Sequence, residues 1–521
     1  MLTLTRASMV AVFWLVIAFA LLLRVIVFAE SGFTIDDSWI TFRYAENLVA
    51  GHGLVYNIGE RVQGSTSPLQ IFLVAAFLFV GLEAKKGALI LALLAAAGFL
   101  IVAYRLLKCV AGDEVSPLYV LPLAVAPGIT VISVSGMETM LFVFLQCCAF
   151  LAYVERRPSL LGVSVALLLL TRIDGALVVV AIVVTDLALR SPLGKDSPIA
   201  AVSNTLREPW PLRDIVRSAG IALLLLAPWI AFATWYYGDP VPNSIWAKRA
   251  LYSIAGMDRT PALATIEKAL QVGYLLPFYL GAFLALSGLL FMAVRRDRIS
   301  CIAVWFVAYL LFLILGRTHV HPWYLTPFHA FALLSVCMMA AAYFRRPVER
   351  RSVAGVPVLR TVGAVAVLFL LSLWGVWTSR TLADGWQGKL ESAHAAVGEY
   401  LKDASATGDV IYAPDIGYVG ALTGRHILDS VGIVSADVIS FNRRGDFAGV
   451  LRHWQPKWAV IGLYGTWQGP LLTDDWILSN YRPVFTNNPD RAVAWPSAAD
   501  LRELRYDWEY LVLERIEPQG G

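Results

Sequence analysis

A series of apolar runs, each long enough or nearly long enough to cross a bilayer, constrains this chain more than any other feature. They lie at about 8–29, 88–107, 117–133, 138–154, 159–171, 175–189, 218–236, 272–293, 300–316, 323–343 and 357–378. A hydrocarbon core of about 30 Å takes roughly 20 apolar residues in a helix, because the segment must satisfy its own backbone polar groups. Hydrophobic residues make up 58% of the 521 and charged ones 15%, which excludes a water-soluble globule. Residues 1–379 are therefore expected to form an all-α polytopic membrane module, and the much less apolar stretch 380–521 a separate soluble domain.

The basic residues fix the expected sidedness. They cluster at Arg105/Lys108, Arg156/Arg157, Arg190 to Arg217, Arg295/Arg296/Arg298 and Arg345 to Arg351, and the positive-inside rule puts all five loops in the cytoplasm. One further run, Leu69 to Leu82, would reverse every later loop if it crossed. It is also short for a span, so we read it as re-entrant or interfacial. That leaves about eleven crossings, with the N-terminus inside. The first run is longer than a signal-peptide core of roughly 7 to 15 residues and is read as a retained helix.

On this topology the outer face receives the loop 30–87, the turn Ser133 to Thr139, the apex Thr171-Arg172-Ile173-Asp174-Gly175, Tyr237 to Gln271, Gly316 to Pro322 and the domain 380–521. The loop 30–87 opens with Asp36-Asp37 on an amphipathic helix carrying Trp39, Phe42, Ala45 and Val49 on one stripe and stopped by Gly51. The C-terminal domain reads as α/β, with an amphipathic helix near Lys389 to Lys402 and strand-like runs at Val410-Ile411-Tyr412 and Trp458 to Ile461. No internal repeat of the transporter kind is visible. The five cysteines lie in or beside apolar runs, at spacings that fit neither zinc nor redox motifs.

Ionisable groups at membrane depth are costly, so those gathered on the outer side suggest a shared polar pocket. For Asp36 and Asp37 two roles are open: a helix N-cap, and a general base that takes a proton from an attacking hydroxyl. Adjacent carboxylates cannot flank a glycosidic bond from opposite faces, which disfavours a paired-carboxylate hydrolase. Glu138 either complements a helix dipole or binds a sugar hydroxyl. Arg172 and Asp174 either pair with each other or face a ligand. Arg43, Asn243, Lys248, Arg249, Arg317, His319, His321 and Tyr324 complete the set. Arg, Lys and His together suit a phosphate, whereas Trp and Tyr near 323–324 also suit interfacial anchoring. No spacing marks a metal site, although Asp36/Asp37 with Glu138 would offer Mg²⁺ or Ca²⁺ a weak acidic set.

Taken together, Asp36-Asp37-Ser38-Trp39-Ile40-Thr41-Phe42-Arg43-Tyr44, Gly51 to Asn57, Gly59 to Val62 and Gly64 to Leu69 resemble the GT-C superfamily of membrane glycosyltransferases, in particular the mycobacterial-type terminal arabinofuranosyltransferases and their bacterial relatives. Ser135 to Thr139, Thr171 to Gly175, Tyr237 to Lys248, Asp415-Ile416-Gly417 and Asp429 to Gly432 extend the likeness over most of the chain. The resemblance implies a multi-pass protein of the bacterial cytoplasmic membrane with its active site outside. It implies transfer of a sugar, arabinofuranose in the first instance, from a polyprenyl-phosphate donor to a cell-envelope glycan, glycolipid or protein. Asp36 or Asp37 would be the base, with Arg43, Glu138, Arg172, Asn243, Lys248, Arg317, His319 and Tyr324 binding substrate. Hexosyl or mannosyl transfer within the superfamily is the alternative, and a lipid-linked sugar transporter is the reading from another class. The sequence departs from the expected pattern at Ser65, where an aromatic residue is expected nearby, and its soluble domain is short.

Overall fold

The computed structural model describes residues 6–191, 204–254, 260–270, 274–316, 319–344, 370, 373–387, 391–463, 468–496 and 509–517. Among the described residues five helices are long and apolar enough to cross a membrane: Arg6–Ser31, Ala84–Ala111, Leu212–Tyr237, Arg298–Gly316 and Pro322–Phe344. Shorter apolar helices, Pro68–Phe79, Thr139–Val154, Pro158–Thr171 and Phe278–Val294, lie among them, together with Ala176–Arg190. Leu212–Tyr237 exposes Leu223, Leu224, Ile230 and Trp235, which are stable outward only if lipid is the solvent there.

Two expected crossings differ. The run 117–133 is not one helix but a 3₁₀ turn, Pro117–Val120, and two short helices, Leu121–Val125 and Pro127–Ser133. Pro122 and Pro127 remove backbone donors, and Ala126 leaves the helical region at φ −60°, ψ 119°. The broken segment survives because neighbouring helices bury Leu123 to Val134. The run expected from 272 becomes helical only at Phe278, after Pro277. Most of the run 357–378, and Arg345 to Arg351, lie outside the described residues.

The run Leu69 to Leu82 forms a helix, Pro68–Phe79, of 12 residues. At 1.5 Å per residue it reaches about 18 Å, short of the hydrocarbon thickness. Pro158–Thr171 and Ala176–Arg190 meet through a single 3₁₀ turn, Ile173–Gly175, as the spacing predicts.

The C-terminal domain holds one five-stranded sheet in the order β2-β1-β3-β5-β4. These strands are β1 (Val410–Ala413), β2 (His426–Asp429), β3 (Trp458–Gly462), β4 (Tyr481–Thr486) and β5 (Tyr510–Arg515). β2, β1 and β3 are parallel, whereas β5 pairs antiparallel with β3 and β4. Side chains alternate between faces, so Ile411, Ala413, Ile427, Trp458, Val460 and Val512 share one core. Tyr412, Leu428, Ala459, Ile461 and Leu511 fill the other.

The first core is not confined to the soluble domain. It also contains Phe42, Tyr44, Leu54, Tyr56, Ile71 and Val74, so the first loop supplies the layer that covers this face of the sheet. The edge strand β2 is also covered. Asn57 Nδ2 donates to the Ile427 carbonyl at 2.9 Å and Asn57 Oδ1 accepts from the Ile427 amide at 3.0 Å, pairing as a neighbouring strand would.

Candidate active site

Ile35 is extended, and its amide donates to Ser135 O at 2.9 Å, which ties the start of the Asp36–Val49 helix to the Ser133–Thr139 turn. No side chain caps this helix. Instead Asp36 caps another one: its Oδ2 accepts from Gly417 N at 2.9 Å and its Oδ1 from Tyr418 N at 2.7 Å. The recipient helix, Gly417–Thr423, begins four residues after the end of β1. The cap expected from the sequence, an aspartate on the helix it opens, is absent, and Asp36 instead caps the helix of the C-terminal domain.

The approach is close. A Cβ on Gly417 would stand 1.9 Å from Asp36 O, and one on Gly420 would stand 1.8 Å from the Tyr56 hydroxyl. Glycine at these positions lets the two backbones meet. Arg43 reinforces the contact with three donations, to Tyr56 O at 2.8 Å, Gly420 O at 2.8 Å and Arg425 O at 2.7 Å, while its guanidinium lies over the Tyr56 ring.

A second set of ionisable groups surrounds Asp36. The Tyr510 hydroxyl lies 2.6 Å from His394 Nε2 and donates to Asp415 Oδ2 at 2.7 Å, while Glu391 Oε2 stands 3.6 Å from His394 Nδ1. Burial raises the Asp36 carboxyl to about 7; His394 opposes this rise and Asp415 adds to it. Burial works against charge on His394, yet Asp36, Asp415 and Glu391 together lift it well above the ordinary imidazole range. The cluster therefore retains protons.

Asp37 stands apart. It is half-buried, and among the described residues no hydrogen bond reaches its carboxylate. Burial raises its pKa, Lys248 opposes that most strongly, and Asp415 and His394 add smaller, opposing effects. Lys248 comes from the Asn243–Tyr252 helix and lies beside the Tyr324 hydroxyl. Tyr324 and then Asp37 hold it protonated above the ordinary lysine range.

Behind Tyr324 lies the apex. Arg172 donates to Asp174 twice, at 3.1 and 3.0 Å, and to Glu138 Oε1 at 3.0 Å. Its guanidinium sits 4.8 Å from the Tyr324 ring centroid, and the Tyr309 hydroxyl donates to Asp174 at 2.8 Å. Of the two readings of Arg172 and Asp174, the mutual pairing is present, and the pair adjoins Tyr324.

The structure thus brings together Asp37, Lys248, Tyr324, Arg172 and Glu138. Arg43 and Asn243 lie elsewhere. Asn243 Nδ2 donates to Gly432 O at 2.7 Å and Ile433 O at 2.9 Å, so its amide holds the soluble domain. His319 and His321 have ring centroids 4.6 Å apart, and burial keeps the His321 imidazole neutral. Arg317 lies outside the described residues. In the Asp429 to Gly432 motif, Asp429 accepts from Val431 N at 2.8 Å and Val434 N at 3.0 Å, organising the turn after β2.

For a divalent cation the donor set is poor. Asp36 is engaged by two amides and Glu138 by Arg172, which leaves Asp37 as the open carboxylate of the three. Among the described residues no group of three or more His, Cys, Asp or Glu side chains has the arrangement of a metal site. Sequence reasoning did not single out Tyr309, Glu391, His394 or Tyr510. A lone histidine on an amphipathic helix gives no signal until the strand that bears Tyr510 is laid beside it.

Apolar helices, a loop opening with paired aspartates and a C-terminal α/β domain seated on that loop make up a fold that the chain shares with solved structures. The chain is similar to the solved structure of ArnT from Cupriavidus metallidurans bound to undecaprenyl phosphate, with 14% identity and a TM-score of 0.59 over 99% of this chain and 100% of that one. It is similar to the oligosaccharyltransferase AglB from Archaeoglobus fulgidus, solved with an inhibitory peptide and a dolichol-phosphate, with 13% identity and a TM-score of 0.52 over 98% of this chain and 74% of that one. The mycobacterial arabinofuranosyltransferase AftD aligns with 16% identity over 98% of this chain but 40% of its own, at a TM-score of 0.46, too low to bear on the sugar. Residues 382–509 match a family described as a domain of unknown function (DUF8728). No curated protein matches the sequence.

Proposed function

We propose that the protein is a glycosyltransferase that takes a sugar from a polyprenyl-phosphate donor and delivers it to an acceptor hydroxyl, with Asp37 as general base. One observation carries this reading. Two adjacent carboxylates open the helix, Asp36 has both oxygens bound by backbone amides, and Asp37 is left open opposite Lys248. A carboxylate facing a protonated amine is the minimal equipment for the reaction. The acceptor oxygen attacks the anomeric carbon, its proton passes to Asp37, and the bond from that carbon to the phosphate oxygen breaks with its electron pair leaving on the phosphate.

Lys248, kept protonated beside Tyr324, neutralises the departing phosphate, and a preorganised donor of this kind contributes on the order of 2.7–4 kcal/mol. Arg172 orders the pocket wall through Glu138, Asp174 and Tyr324. The donor class is supported by the two solved structures of similar fold whose ligands are undecaprenyl phosphate and dolichol-phosphate. Arabinofuranose is our proposal for the sugar, and the outer face of the bacterial cytoplasmic membrane for the site.

The test is transfer from synthetic short-chain polyprenyl-phosphoryl arabinofuranose, with matched mannose and glucose donors, to envelope acceptors. Release of lipid phosphate that disappears in Asp37→Asn supports the reaction and the base. Turnover with the hexose donors alone would overturn the sugar, and equal turnover by Asp37→Asn and wild type would overturn the mechanism.

A further inference from the structure

A cleft of ≈ 720 Å³ opens on the far side of the helix that carries Lys248. It lies between Asn243–Tyr252 and the segments Val438–Asn442 and Phe447–Trp454. Its apolar lining is aromatic, supplied by Trp246, Phe441 and Trp454, all half-buried. Its polar lining includes Asp437, Arg443 and His453, all exposed.

Side-chain contacts tie the walls together. Trp246 Nε1 donates to Asp239 Oδ2 at 3.1 Å, and Phe441 and Trp454 pack with ring centroids 5.4 Å apart. Asn243 joins the two sides through the carbonyls of Gly432 and Ile433, and Ala247 and Ala250 pack against Ile439. The cleft needs no rearrangement to exist, and its volume falls within the roughly 300–1,000 Å³ of small-ligand sites.

Its chemistry selects the ligand class. One carboxylate and one guanidinium leave the polar lining without net charge, which suits neither a phosphate nor a polycation. Three aromatic side chains and a rim of hydrogen-bonding groups match a ring that is apolar on its faces and hydroxylated around its edge. That description fits a neutral sugar. Position adds the role: Trp246 and Lys248 are two residues apart, hence about 200° around the helix, so cleft and pocket flank one helix about 10–12 Å thick.

We infer that this cleft is a carbohydrate-binding subsite that holds the acceptor glycan beyond the residue being extended. Binding of a neutral oligosaccharide follows from the cleft alone, and its role as acceptor rests on the reaction proposed above. Calorimetric titration of the full-length protein in detergent with arabinan, mannan and glucan hexasaccharides tests it. At least one should bind, and Trp454→Ala should weaken that binding by about tenfold or more, a loss typical of a truncated aromatic anchor. Should Trp454→Ala fail to fold, Arg443→Ala changes only an exposed lining residue and should weaken the same binding. A wild-type protein that transfers sugar yet binds none of the three, or binding unchanged in both variants, would overturn the subsite. Oligosaccharide binding without any sugar transfer would leave the subsite standing and remove the catalytic reading.

Discussion

Asp36 and Asp37 are neighbours of identical chemistry, and the fold gives them opposite lives. Asp36 points at the soluble domain, where two amides, His394 and Asp415 surround it. Asp37 has Lys248 as its strongest counter-charge and no hydrogen bond among the described residues. A satisfied carboxylate holds structure together, whereas an unsatisfied one remains available to take a proton. One helical step of about 100° separates the two roles.

The sharpest way to break this comparison is to neutralise each aspartate in turn. Asp37→Asn should lower turnover by roughly 10²–10⁴, the usual worth of a general base, and leave thermal stability near wild type. Asp36→Asn should do the reverse. It replaces an acceptor oxygen with a donor facing an amide, so melting should report a loss of about 1–3 kcal/mol with a smaller effect on turnover. If both variants lose turnover equally at unchanged stability, the division of roles is wrong.

Lys248→Ala comes next. Removing the cation opposite Asp37 should reduce turnover by about 10²–10³, with little change in the melting temperature because Ala247 and Ala250 still hold the helix. Gly420→Ala should act on the other side of the comparison. The added methyl collides with Tyr56 and Arg43, and overpacking of this kind costs about 1–3 kcal/mol, read as a lower melting temperature or earlier proteolysis of the soluble domain.

The smallest effect is that of pH. Released from the interface, Asp36 would bind its proton only near 3.8, whereas docked it does so at about 7. The docked state holds the extra proton between those values, so docking weakens as pH rises from about 4 to about 7. His394 has the same sign: its contribution is complete below the ordinary imidazole range and is lost only above its elevated value. Protection factors at the Gly417 and Tyr418 amides, taken relative to the base-catalysed intrinsic rate at each pH, should therefore be higher at about pH 5 than at about pH 8. Equal protection would show that the cluster does not govern docking.

Much of this was legible in the sequence, for identifiable reasons. Apolar runs announce helices in lipid, Gly51 announces the end of the first-loop helix, and the one-residue spacing of Arg172 and Asp174 announces their pairing. The broken run 117–133 was less legible, because hydropathy counts Pro122 and Pro127 as ordinary members of an apolar stretch. Least legible were Arg43, Asn243 and the Asp36 contact. Their partners are backbone groups up to 382 residues away, and an amide or carbonyl leaves no mark in the alphabet of side chains. His394 and Glu391 were hidden similarly, since the groups they meet come from Asp36, Asp415 and Tyr510.

The pairing of Asn57 with Ile427 bears on how the protein is made. Synthesis proceeds from the N-terminus, so the side chain that covers the edge of the sheet is in place 370 residues before the strand it protects. The first loop is thus a mould waiting for its casting. The soluble domain produced alone would display both the naked edge of β2 and the apolar face that Phe42, Tyr44 and Tyr56 normally cover. Such a fragment should self-associate rather than report on the domain's own binding, and a peptide spanning the first loop should return it to the monomer.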